Sequence, residues 1–136
     1  MKMQVFVGAY QSKTKSNYAV SIHSDGNSVQ LEPVVFASKI TKHRLLLLAL
    51  ADVLNNLIDL GKGWEVEFFS DDYSVWFEWN QEYCKERKFY KNDDIDVWTK
   101  IVKLVENNNI NLTIYGDDTA LSKLNKNQKR RARYAE

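Results

Sequence analysis

Residues 41–75 read TKHRLLLLALADVLNNLIDLGKGWEVEFFSDDYSV, and the change of period inside this stretch decides the fold class. Thr41 suits a helix N-cap, because its hydroxyl can accept from a backbone N–H of the first turn. Leu46, Ala49, Leu50, Val53, Leu54, Leu57 and Ile58 then recur at helical spacing. Gly61 and Gly63 end that helix. Over residues 64–69 the period falls to two, with Glu65 and Glu67 on one face and Val66 and Phe68 on the other. Asp71 or Asp72 caps a second helix running to about residue 85. Helix, strand and helix joined by short connections are the parts of an α/β crossover.

Upstream, residues 4–10 are rich in Val, Phe and Tyr and read as a buried strand. Residues 17–23 alternate as a second strand, and Ser24-Asp25-Gly26-Asn27 is a hairpin signal. Residues 29–36 form a third strand, with Pro33 marking an edge or a bulge. Downstream, residues 86–92 are a charged connection, and Asp93 or Asp94 opens a third helix carrying Ile95, Val97, Trp98, Ile101, Val102 and Val105. Residues 110–115 alternate as a fifth strand, and a last helix covers about 125–135. A meander followed by two α-crossovers predicts an α/β fold: a mixed five-stranded sheet in the order β-β-β-α-β-α-α-β-α, with helices on both faces. The strand over 4–10 is expected at its centre.

The 136 residues, 44% of them apolar, suit a single domain spanning 1–136. Lys and Arg number 19 against 18 for Asp and Glu, so the overall charge names no polyanionic partner and only local clustering can. The lone Cys84 excludes an internal disulfide framework and a cysteine-type zinc site. No apolar run is long enough to span a bilayer. Strand-like sequence follows the first residues without a signal-peptide pattern, so a cytoplasmic protein is expected. Abundant Lys and Asn fit an AT-rich genome, such as that of a phage.

Several strings resemble ribonuclease H of type one. Thr41-Lys42-His43-Arg44-Leu45-Leu46-Leu47 resembles the family's Thr-Asn-Asn-Arg-x-Glu-Leu at the start of its first helix. Phe69-Ser70-Asp71-Asp72-Tyr73-Ser74-Val75 resembles Tyr-Thr-Asp-Ser-x-Tyr-Val, and Ile95-Asp96-Val97-Trp98 resembles Val-Asp-Leu-Trp. The resemblance covers nearly the whole chain. It implies a ribonuclease H-like fold and, in the family, four carboxylates holding two magnesium ions that activate water. On this mapping the first-strand Asp falls at Gly8 or Ala9, the helix Glu at Leu46 and the last-helix Asp near Ala132. The mobile His falls near Asp117. Of the four carboxylates only Asp71 survives.

The residues therefore predict an inactive ribonuclease H-like binding module, with no cofactor. An acid-free basic run, with Lys126, Lys129, Arg130, Arg131 and Arg133 at its core, is the candidate contact to a nucleic acid, duplex or RNA–DNA hybrid. Lys42 and Arg44 are further candidates at the helix start. An unidentified protein is the other candidate partner, as for a phage-encoded inhibitor or scaffold. Trp76, Trp79 and Tyr83, at helical spacing, read as core or as an interface patch. The enzymatic alternative is a divergent, magnesium- or manganese-dependent endonuclease. Its rebuilt site would use Asp71, Asp72, Asp117 and Asp118, with Asp71 and Asp117 as metal ligands. Against it stands the ordinary use of such Asp residues as helix and turn caps. His23 and His43 read as surface residues.

Overall fold

The computed structural model describes residues 1–90, 92–116 and 122–135, and of 122 and 123 only the backbone. Strand β1 (Lys2–Gln11) pairs antiparallel with β2 (Ser16–Ser24), from Gln4 opposite His23 to Gln11 opposite Ser16. Asp25 and Gly26, with φ of 51° and 78°, then turn the chain into β3 (Asn27–Gln30). Positive φ at both positions matches the twist of the flanking strands. The expected third strand over 29–36 is in fact two. β3 ends at Gln30, and β4 (Val34–Phe36) resumes against β2 after Pro33. Proline has no N–H for a ladder, so the break falls there and the sheet has six strands rather than five.

Helix α1 (Lys42–Leu57) begins as its sequence predicts, with Arg44 N donating to the Thr41 hydroxyl at 3.2 Å. After a 3₁₀ turn (Ile58–Leu60), Gly61 takes φ 116° and the chain leaves the helix. Strand β5 (Glu65–Ser70) runs parallel to β1, and β6 (Asn111–Gly116) parallel to β5. The main path is β3-β2-β1-β5-β6, so β1 is central as expected.

The second helix is not regular. Helix α2 (Tyr73–Phe77) widens into a π turn (Glu78–Tyr83) and closes as α3 (Cys84–Glu86). At the widening, Asn80 Nδ2 donates to Trp76 O at 3.0 Å and to Ile114 O at 3.1 Å. A side-chain amide inserted among helix carbonyls is a recognised cause of such a local departure. Trp79 Nε1 donates to Leu112 O at 3.1 Å, so the same turn covers the backbone of β6, an edge that would otherwise be open to pairing.

Helix α4 (Ile95–Asn107) packs with α1 on one face of the sheet, over Val5, Val7 and Ala9 of β1. Trp98 stacks on Trp79 (5.9 Å between centroids) and on Phe89 (4.7 Å), and Phe89 stacks on Tyr83. Trp79, Tyr83 and Trp98 are thus core, with Trp76 and Phe89 packed against it. Helix α5 (Ser122–Arg133) packs against β1 and β2, over Gly8 on the opposite face. Among the described residues, no helix is long and apolar enough to cross a membrane.

Candidate functional site

Positions carried over from the resemblance converge at one end of the sheet. The β1–β5 register ends with Phe6 opposite Phe69, and Gly8 and Asp71 each lie two residues beyond that last pair. Gly8 has no room for any side chain. A Cβ built there would stand 2.0 Å from Lys129 N and 2.4 Å from Gln128 C. The trough that admits α5 so closely is lined by small residues, with Ala19 opposite Gly8 in the ladder and Ala132 on the helix, both buried. Polar side chains fasten the contact. Asn17 Nδ2 donates to Ala132 O at 2.7 Å, and Arg131 donates to Val20 O and, at 2.5 Å, to Leu31 O. With its amide nitrogen turned inward, Asn125 donates to Phe69 O at 3.1 Å and Val7 O at 3.3 Å.

The other mapped positions are equally changed. Ala9 and Leu46 are buried in the apolar core with α1. Ala132 lies one turn beyond the Gln128–Lys129 backbone that crosses Gly8. Asp71 forms an ion pair with Lys42 Nζ at 2.9 Å. Lys42 is one turn ahead of Leu46 on α1, so an ammonium group stands beside the one retained carboxylate. Asp72 has the role of a cap, accepting from Ser74 N at 2.8 Å and from the Ser74 hydroxyl at 2.5 Å. Among the described residues, no three His, Cys, Asp or Glu side chains are grouped to hold a metal. Asp71, paired with lysine, supplies among the described residues one of the four carboxylates that the resemblance implies for a two-metal centre. Asp117 and Asp118 lie outside the described residues.

At the start of α1 a second cluster engages His43 and Arg44. His43 is not a loose surface residue. Its Nδ1 lies 2.5 Å from Asp94 Oδ2, and its Nε2 2.5 Å from Glu78 Oε2. Burial alone would push the imidazole pKa down. The hydrogen bonds to Glu78 and Asp94 outweigh it and raise the pKa to about 9. With both ring nitrogens facing carboxylates, the protonated imidazolium donates on each side. Glu78 also accepts from Asn92 Nδ2 at 2.6 Å. Arg44, expected to meet a phosphate, grips Asp96 with both Nη atoms and reaches Asp94 Oδ1 at 3.0 Å. The Arg44 hydrogen bonds hold the Asp96 carboxyl down at about 2. This network ties the start of α1 to the start of α4 and to the π turn.

The basic run divides by helix face. Lys126, Lys129, Arg130 and Arg133 are exposed at i, i+3, i+4 and i+7. With Tyr10 and Tyr134 they line one shallow groove. The Arg133 guanidinium carbon lies 6.0 Å from the Tyr10 ring centroid and 5.7 Å from that of Tyr134. Arg131 faces the sheet instead and is spent on Val20, Leu31 and Gln128. Sequence reasoning missed that division, as well as the Lys42–Asp71 pair and the His43 clamp. One signal was available. A glycine inside a strand marks close backbone approach, and Gly8 is such a residue.

No protein-family model matches the sequence, and no curated protein sequence matches it either. Solved structures do match. The N-terminal RNase H domain of Rv2228c from Mycobacterium tuberculosis superposes with a TM-score of 0.71 at 14% identity, covering 99% of this chain and 98% of that one. RNase H1 from the halophilic archaeon Halobacterium salinarum gives 0.67 at 15% identity, with 94% of each chain covered. LC11-RNase H1, isolated from compost and solved with an RNA/DNA hybrid, gives 0.71 at 13% identity, covering 98% of this chain and 95% of that one. Taken with the strand order, the parallel β1–β5–β6 core and the terminal helix over β1, these matches place the chain in the ribonuclease H-like fold.

Proposed function

We propose that the chain acts as one ribonuclease H-like domain that binds nucleic acid and does not cut it. The observation that supports this most is the seat of α5. Its backbone fills the space above Gly8, where the resemblance puts a catalytic carboxylate, and its outer face offers four exposed cations in one stripe. Lys42 beside Asp71 works in the same direction, because a fixed ammonium disfavours a divalent cation. The end of the sheet that resembles a metal site thus meets phosphate with lysine and arginine. Two structural neighbours have been solved on nucleic acid, LC11-RNase H1 with an RNA/DNA hybrid and the foamy viral protease-reverse transcriptase with double-stranded DNA. That makes a polyanion the first ligand to test.

The test is an equilibrium titration of labelled single strand, duplex and RNA–DNA hybrid, in chelator and in magnesium or manganese, with each sample then run on a denaturing gel. Salt-dependent binding without metal and without cleavage is the expected result. Hydrolysis that vanishes in an Asp71→Asn variant would overturn it and favour the divergent nuclease; a contaminating nuclease would survive that substitution. Binding to none of the three would move a protein partner ahead. The feature favouring that second reading is the exposed aromatic group on α2, where Tyr73 is 63% and Phe77 41% exposed.

A further inference from the structure

We infer that the α5 groove takes an unpaired segment of nucleic acid, with bases stacked on Tyr134 and Tyr10, rather than the outside of a duplex; the inference rests on the nucleic-acid reading above. Among the described residues, the groove is lined by Tyr10, Lys126, Lys129, Arg130, Arg133 and Tyr134, none of them acidic. Its form argues against a small-molecule site, since a volume of about 260 Å³ open to solvent falls below the usual range for pockets that enclose a ligand. The four cations are confined to two turns of one helix. At 1.5 Å per residue, Lys126 to Arg133 covers only about 10 Å. That length follows a short stretch of one strand and does not bridge the grooves of a duplex.

The aromatic groups decide between the two forms. A cation stripe alone reads phosphate and is indifferent to pairing. Stacking on a side chain requires a base whose face is free, which a duplex interior does not offer. Tyr134 is 71% exposed although it follows directly on a packed helix. Its position is held, not frayed. Tyr134 N donates to Arg130 O at 3.2 Å, and Lys15 Nζ, from the β1–β2 connection, donates to Ala135 O at 2.5 Å. Arg133 lies against both rings, so its charge is presented between two stacking faces. Cations along the track and aromatic faces at its end are the two components of single-strand recognition.

The two components have separate signatures in one experiment. Fluorescence anisotropy is measured for a labelled single-stranded oligonucleotide and its matched duplex over a series of salt concentrations. The proteins are wild type, Tyr134→Ala, Tyr134→Phe and Lys129→Ala/Arg130→Ala. Wild type is expected to bind the single strand more tightly than the duplex. Tyr134→Ala should weaken single-strand binding about tenfold with an unchanged salt slope, and Tyr134→Phe should restore it. Lys129→Ala/Arg130→Ala should reduce the slope by about 1.4 on the single strand. A wild type that prefers duplex, or a Tyr134→Ala variant that binds single strand as wild type does, overturns the stacking site and leaves nucleic-acid binding intact. Failure to bind either form overturns both.

Discussion

Gly8 presents only hydrogen where α5 crosses β1, and two expectations follow for that residue. Gly8→Ala should destabilise the protein by about 3 kcal/mol, the upper end for overpacking, because the added carbon meets helix backbone and not a side chain that can swing away. Gly8→Asp should be worse still. Urea unfolding with an unchanged m-value measures both, and a Gly8→Ala variant as stable as wild type would mean that α5 does not sit there. His43 gives a pH signature. Its unfolded pKa is near 6.5 and its folded pKa is raised to about 9. The contribution is therefore complete below about pH 6.5 and is lost as pH rises through 9, an effect of about 1–2 kcal/mol after solvent screening of this partly exposed group. Wild type should lose stability between pH 7 and 10, and His43→Gln should be flat over that window. Residue identities were legible in part. That Leu46 cannot ligate a metal was plain from the sequence. That His43 and Arg44 are consumed by Glu78, Asp94 and Asp96 was not, because those partners lie 35 to 52 residues away in the chain.

At the scale of the element, α5 separates stability from binding within adjacent residues. Arg131 holds the Val20 carbonyl of β2 and the Leu31 carbonyl just beyond β3, so Arg131→Ala should cost about 1.5–3 kcal/mol, the range for hydrogen bonds to a charged group. Arg130 is exposed, and Arg130→Ala should change stability by less than about 0.5 kcal/mol while weakening binding. Thermal unfolding and a binding titration on the two variants check this. Equal stability losses would mean that the helix faces are misassigned. The elements themselves were legible wherever a period carried them. β5, α4 and β6 lie within a residue or two of where the sequence puts them, and α1 starts at its Thr41 cap but gives way to a 3₁₀ turn three residues before the expected end. Two features escaped. Pro33, which marks an edge or a bulge in the sequence, does lie between edge strands, but as a break between two strands and not within one. The π turn at Glu78–Tyr83 depends on Asn80 reaching both Trp76 and Ile114, a tertiary contact that no local pattern encodes.

For the molecule as a whole, charge matters by placement, not by sum. A net charge of +1 conceals a stripe of four exposed cations at the end of the sheet that also carries the Lys42–Asp71 pair. The sheet order was legible because a meander followed by helical crossovers leaves few alternatives. The seat of α5 was not, because it depends on Gly8, Ala19 and Ala132 meeting across distant parts of the chain. The central claim is that this end of the fold binds nucleic acid with its own cations and without metal. The most direct measurement is the affinity of wild type and Lys129→Ala/Arg130→Ala/Arg133→Ala for a labelled RNA–DNA hybrid carrying a single-stranded overhang, titrated in chelator across a range of salt. Wild type should bind in chelator, and the variant should lose about 2 to 3 from the magnitude of the log–log salt slope, the value for three phosphate contacts. Binding that appears only when magnesium or manganese is added, or a variant identical to wild type in affinity and slope, would contradict it.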